Sequence, residues 1–161
     1  MRICIFGAGA VGSHLAVRLA LAGNDVSCVM RGPHLAAVRT NGLTLRVGAA
    51  EFKAEVNASD DPAKLGPQDF VISTLKATGG AALATGLKPL LHEETGVVFA
   101  QNGIPWWYDI GLPKDHPNTP DLGFLDPGGA LRAAGPKERI IGGGVVSSPR
   151  GVGARGGGHT P

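Results

Sequence analysis

The chain is poor in residues that staple, ligate or anchor. It holds two cysteines, Cys4 and Cys28, and both fall in apolar runs, where a thiol behaves as a small core hydrophobe. Neither a disulfide nor a cysteine-based metal site is expected, because no Cys/His cluster has ligand spacing. His14, His34, His92, His116 and His159 show no partner spacing either, so no metal is expected. No run of Lys and Arg accompanies the net charge of +2, which argues against nucleic acid or a membrane surface as partner. No segment approaches the ~18 apolar residues of a membrane span. The apolar start is broken by Gly7, Gly9 and Gly12, unlike a signal peptide, and a cytoplasmic location is the expectation.

What is present suits a soluble globular domain. Apolar residues make up 43% of the 161 and charged ones 17%; a chain of this size buries roughly 70% of its unfolded surface. The 26 glycines are the unusual feature. Arg2 to Phe6 is a short apolar run that suits a strand buried on both faces. From Val11 to Ala22 the residues Val11, Leu15, Leu19 and Ala22 recur at helical spacing, with Gly23 as terminator. Asp25 to Met30 is a second strand.

Further along, Pro33 to Thr40 reads as a short helix closed by Gly42. Leu43 to Val47 and Glu51 to Val56 read as a strand pair bent at Gly48. Asp69 to Leu75 and Gly96 to Ala100 are buried strands, with a helix over Ala77 to Leu91 that Gly79 and Gly80 weaken by roughly 1 kcal/mol each. Pro113 to Pro136 reads as a long loop with a short helix near Gly129 to Ala133. Arg139 to Ser147 is a last strand. Residues 1–148 form one domain in this reading, and 149–161 a glycine-rich tail without periodicity. The strand–helix rhythm predicts an open, mostly parallel α/β sheet of Rossmann type with helices on both faces.

Gly7-Ala8-Gly9-Ala10-Val11-Gly12 has the Gly-x-Gly-x-x-Gly spacing. Alone that is weak, but here it follows a strand, opens a helix and precedes a second strand. Gly7 makes the tight turn, Gly9 lets backbone approach a pyrophosphate, and Gly12 lets the helix pack on the strand. The helix N-terminus offers free N–H groups and the positive end of its dipole. An NAD site places Asp or Glu at the end of the second strand. This chain has Met30-Arg31-Gly32 there, and Asp25 lies at the far end of that strand. Arg31 therefore points to a 2′-phosphate, hence NADP(H). Lys76 and Asn102 each lie just past the end of a parallel strand, where open α/β sheets bind ligands. A lysine there can hold an anion or polarise a carbonyl, and an asparagine offers donor and acceptor. Trp106-Trp107-Tyr108 reads as packing.

The Gly7–Gly12 loop, Arg31, Thr74-Leu75-Lys76-Ala77, Gln101-Asn102-Gly103-Ile104-Pro105, Asp126-Pro127-Gly128-Gly129 and Ile140 to Val146 occur in an order that resembles ketopantoate reductase (2-dehydropantoate 2-reductase). The resemblance implies NADPH-dependent reduction of ketopantoate to pantoate, on the route to pantothenate and coenzyme A. It implies that Arg31 reads the 2′-phosphate, that Lys76 lines the cofactor and substrate cleft, and that Asn102 touches cofactor and substrate. It implies a main-chain contact to the cofactor near Ser147. It also implies a second, helical domain that supplies a catalytic lysine and a substrate-orienting glutamate. Neither residue is found here, so the chain reads as a cofactor-binding half, incomplete for catalysis alone. The surface that such a domain covers would favour self-association. A non-catalytic NADP(H)-binding module stays open as the alternative, as does another 2-oxo acid as substrate.

Overall fold

The computed structural model describes residues 1–113, 116, 117, 121–135 and 137–146. Its centre is a six-stranded sheet. The strands are β1 (Arg2–Phe6), β2 (Asp25–Val29), β5 (Asn57–Ser59), β6 (Phe70–Ser73), β7 (Gly96–Ala100) and β8 (Ile140–Gly143). They lie in the order β5-β2-β1-β6-β7-β8, and every neighbouring pair is parallel. The chain starts in the middle, winds outward to β5, returns past β1 to β6, and winds outward again to β8. The direction of winding reverses between β1 and β6. Loops leaving the carboxyl ends of those two strands diverge, which opens a crevice there.

Central strands sealed on both faces need apolar side chains in both directions, and two core layers form accordingly. One holds Ile3, Ile5, Val26 and Cys28 beneath α1 (Ala10–Leu21) and α2 (Gly32–Asn41). The other holds Cys4, Phe6, Val71, Val97 and Phe99 beneath α3 (Gly80–Leu87) and α4 (Ala130–Ala134). The apolar stripe of α1 differs from the expected one. Its buried residues are Gly12, Ala16 and Val17, while Ala22 is exposed. Small side chains face the sheet because the helix lies close to it. Leu15 and Leu19 are only partly buried, and Leu45 and Phe52 pack in the same layer. These last two belong to an antiparallel hairpin outside the sheet, β3 (Leu43–Val47) and β4 (Ala50–Ala54). Arg18 stacks over the Phe52 ring at 4.5 Å.

Other boundaries also shift. The predicted helix over Ala77 to Leu91 divides into a 3₁₀ turn (Ala77–Gly79), α3 and a second 3₁₀ turn (Lys88–Leu90). Gly79 and Pro89 sit in the two turns, where a regular helix is least favoured. The last strand stops at Gly143, short of the expected Ser147, which lies outside the described residues with the 149–161 tail. β5 had no sequence prediction: three residues carry too little pattern to read, and it forms by pairing with β2. No helix among the described residues is long and apolar enough to cross a membrane.

Cys4 and Cys28 lie on adjacent strands but enter opposite core layers. Both are fully buried, and desolvation pushes each thiol up to about 12. At pH 8 on the order of one thiol in ten thousand is ionised. The folded protein is therefore expected to ignore a thiol-specific colorimetric reagent until denaturant is added. Labelling of native protein at the rate of a free thiol would contradict this packing.

Candidate cofactor cleft

The crevice is built around the loop from β1 into α1. Gly7 takes φ +95°, a conformation that favours glycine, and a Cβ there would overlap the Leu75 side chain. The Gly7 and Ala8 N–H groups donate to the Val29 carbonyl at 3.0 and 3.3 Å, which ties the loop to the end of β2. From the other side the Thr74 hydroxyl donates to the Gly7 carbonyl at 2.6 Å. Ser13 Oγ donates to the Ala8 carbonyl at 3.0 Å. The loop is thus held from β2, from β6 and from its own helix.

The three motif glycines differ in what their surroundings demand. A Cβ on Gly12 would sit 2.6 Å from Thr74 Oγ1 and 2.9 Å from both the Gly7 carbonyl oxygen and Ile5 Cγ2. Gly12 is therefore a packing glycine. Gly9 is exposed, has ordinary extended backbone (φ −75°, ψ −156°), and a Cβ there would meet nothing nearer than the Gly7 oxygen at 4.0 Å. Nothing among the described residues requires glycine at this position. Beyond it α1 begins with no side-chain cap and no acidic residue in its first turn. The N–H groups of Ala10, Val11 and Gly12 have no intrahelical acceptor by geometry. A bare, uncapped helix end beside an open glycine suits an anion brought close to backbone.

The other predicted residues lie along the same carboxyl edge of the sheet. Arg31 is the N-cap position of α2, just past β2. Its side chain is exposed, with no hydrogen bond or ion pair among the described residues. Lys76 is exposed and opens the 3₁₀ turn after β6. It lines a small pocket with Ser73, Gln101 and Trp106.

Asn102 is partly committed. Its Nδ2 donates to the Val145 carbonyl at 2.8 Å, and its Oδ1 accepts from the Val145 N–H at 2.7 Å. The Gln101 N–H donates to the Gly143 carbonyl at 3.1 Å, so the Asn102 amide extends the β7–β8 ladder where the chain turns away at Gly103 (φ +100°). One N–H and one lone pair of the amide stay unused by this pairing. Ser147 lies outside the described residues.

Trp106 and Trp107 pack as sequence expectation had them. Trp106 is buried and meets Phe99 edge-on at 5.4 Å, and Trp107 lies 4.7 Å from the same ring. Thr74 had no assigned role in the sequence reading. A threonine after a strand gives no signal of its own, because the carbonyl it braces is sixty-seven residues away in sequence.

Strand order, glycine loop and helix placement define a Rossmann-type α/β domain. The ketopantoate reductase PanE/ApbA family model matches residues 3–106. A curated 2-dehydropantoate 2-reductase from Mesorhizobium japonicum is 45% identical over 144 residues, which is 88% of this chain and 44% of that protein. Among solved structures, a Ralstonia solanacearum MolK2 protein assigned as a ketopantoate reductase superposes with a TM-score of 0.84 at 40% identity, over 94% of this chain and 47% of that one. The 2-dehydropantoate 2-reductase of Geobacter metallireducens GS-15 gives 0.68 at 28% identity, over 88% and 40%. The chain belongs to the ketopantoate reductase PanE/ApbA family, and it spans under half the length of these relatives.

The packing of Gly12 makes a testable claim. Gly12→Ala is expected to cost about 1–3 kcal/mol through overpacking, read as a lower Tm in a thermal melt. An unchanged Tm would mean that α1 does not lie this close to Thr74 and Ile5.

Proposed function

We propose that this chain is the NADP(H)-binding half of a 2-oxo-acid reductase, with ketopantoate as substrate and pantoate as product. The observation that carries the reading is Gly9, an exposed glycine that nothing among the described residues requires, set at the uncapped start of α1. A pyrophosphate lying there would need the space that any side chain would fill. Arg31, without a hydrogen bond or ion pair among the described residues at the end of β2, would hold the 2′-phosphate of the adenosine ribose. Bound NADPH would supply the hydride for the substrate carbonyl carbon.

The chain's own residues bind and orient. The Ala10–Gly12 amides would face the pyrophosphate. Lys76 would attract the substrate carboxylate or polarise its carbonyl at Nζ. Asn102 would offer its remaining N–H and lone pair. The substrate and activity assigned here follow the names of the relatives, which are more than twice as long as the matched region. A second reading, an NADP(H)-binding module without turnover of its own, is favoured by the modest chemical equipment of the cleft. Half of Asn102's hydrogen-bonding capacity is already spent on Val145. NADPH oxidation with ketopantoate separates the two: binding without oxidation supports the module.

Arg31→Ala is expected to weaken NADPH binding about ten- to a hundredfold, the worth of a charged hydrogen bond, and to leave NADH nearly unchanged. Equal losses in calorimetric titrations of the two cofactors would refute the phosphate role. Gly9→Ala is expected to keep the wild-type Tm while abolishing NADPH binding, the reverse emphasis to Gly12→Ala. Retained affinity in a folded Gly9→Ala variant would move the pyrophosphate elsewhere.

A further inference from the structure

Between β7 and β8 the chain makes a long excursion, and its two described arms meet at one guanidinium. Arg132 Nη2 donates to the Trp106 carbonyl at 2.7 Å and also to Asp109 Oδ1. Its Nε lies 4.0 Å from Asp126 Oδ2. The guanidinium carbon sits 5.8 Å from the centre of the Trp106 ring. Asp126 is itself buried, and its carboxylate accepts from the Leu131 and Arg132 N–H groups at 2.8 and 3.1 Å. It thereby fixes the start of α4. One planar cation thus joins the arm after β7 to the arm that carries α4, a task suited to the fork of arginine and not to a single ammonium.

The joined parts form one side of the cleft. Trp106 and Leu131 line the pocket that Lys76, Ser73 and Gln101 share. Leu131 and Trp106 pack in the core layer of α3 and Phe99. The indole N–H of Trp106 is buried without a hydrogen-bond partner among the described residues. Its position is therefore set by packing and by the hold of Arg132 on its carbonyl.

A dinucleotide across this fold divides between two mononucleotide-binding halves. The adenosine half falls over β1, β2 and β5, and the nicotinamide half over β6, β7 and β8. We propose that Arg132 is a positioning residue for the nicotinamide half: by fastening Trp106 to α4 it sets the wall beside Lys76 and Gln101 without touching a ligand. The proposal rests on the cofactor reading above.

The test compares the wild-type chain with Arg132→Lys and Asp109→Asn. Two ligands are titrated: NADPH, which spans both halves, and adenosine 2′,5′-bisphosphate, which fills the adenosine half alone. Acrylamide quenching of tryptophan emission, which needs no ligand, reports access to the indoles; Trp106 and Trp107 are the chain's two tryptophans. In Arg132→Lys, NADPH affinity is expected to fall about tenfold as the loosened wall misplaces Trp106, while the bisphosphate affinity holds. Quenching should rise. Asp109→Asn, which leaves the Asp126 cap intact, should shift both readouts in the same direction by less, and it decides the matter if Arg132→Lys does not fold. Parallel losses for both ligands, or no loss for either, would overturn the proposal. So would unchanged quenching. Wild-type protein that bound neither ligand would instead sink the cofactor reading, with quenching still testing whether Arg132 holds Trp106.

Discussion

The carboxyl edge of this sheet depends on how closely α1 approaches it where the winding reverses. Gly12 brings the first turn of the helix against Ile5 and against the Thr74 hydroxyl, and that hydroxyl donates to the Gly7 carbonyl at 2.6 Å. Two segments sixty-seven residues apart in sequence are thus fixed by one short contact. The Gly7 turn, the exposed backbone at Gly9 and the uncapped helix end all take their places from it. A larger residue at Gly12 would lift the helix, and the brace would lose its geometry. Close packing of this kind is sensitive to even one added methyl group, because protein interiors have no slack to absorb it.

Much of this was legible in the sequence. The strands β1, β2, β6 and β7 are apolar runs bounded by glycine or polar residues, and burial on both faces leaves that signature. The glycine loop was legible because its spacing coincided with a strand before it and a helix after it. The place of Arg31 could be read because the position at the end of β2 is defined by counting from the loop. β5 could not, since three residues have no periodicity and the strand exists only through its ladder with β2. The stripe of α1 was misjudged because leucines outweigh alanines in any count of hydrophobic residues, while close approach to a sheet selects the smaller side chains.

The less legible half of the site is held by contacts across long sequence separations. Thr74 to Gly7, Asn102 to Val145 and Arg132 to Trp106 each pair residues that no local pattern associates. Asn102 is instructive. The Asn-Gly pair signals a turn, and a turn does occur at Gly103, yet the side chain also stands in for a peptide group in the ladder. Asp109 shows the electrostatic side of the same organisation. Its hydrogen bond with Arg132 holds its carboxyl below the ordinary 3.8. That pairing therefore adds stability at neutral pH, and the contribution fades as acid protonates the carboxylate.

The hairpin of β3 and β4 stands apart from the central sheet, yet it bears on the far end of the molecule. Its Leu45 and Phe52 pack in the same core layer as Leu15 and Leu19, and Phe52 lies beneath the Arg18 guanidinium. α1 is therefore gripped between two sheets along its length. A helix held in this way behaves as a stiff rod, and a displacement at one end reaches the other almost undiminished. Substitutions in the hairpin would be felt as small translations of the uncapped tip of α1, so a surface ornament of the fold acts as its lever.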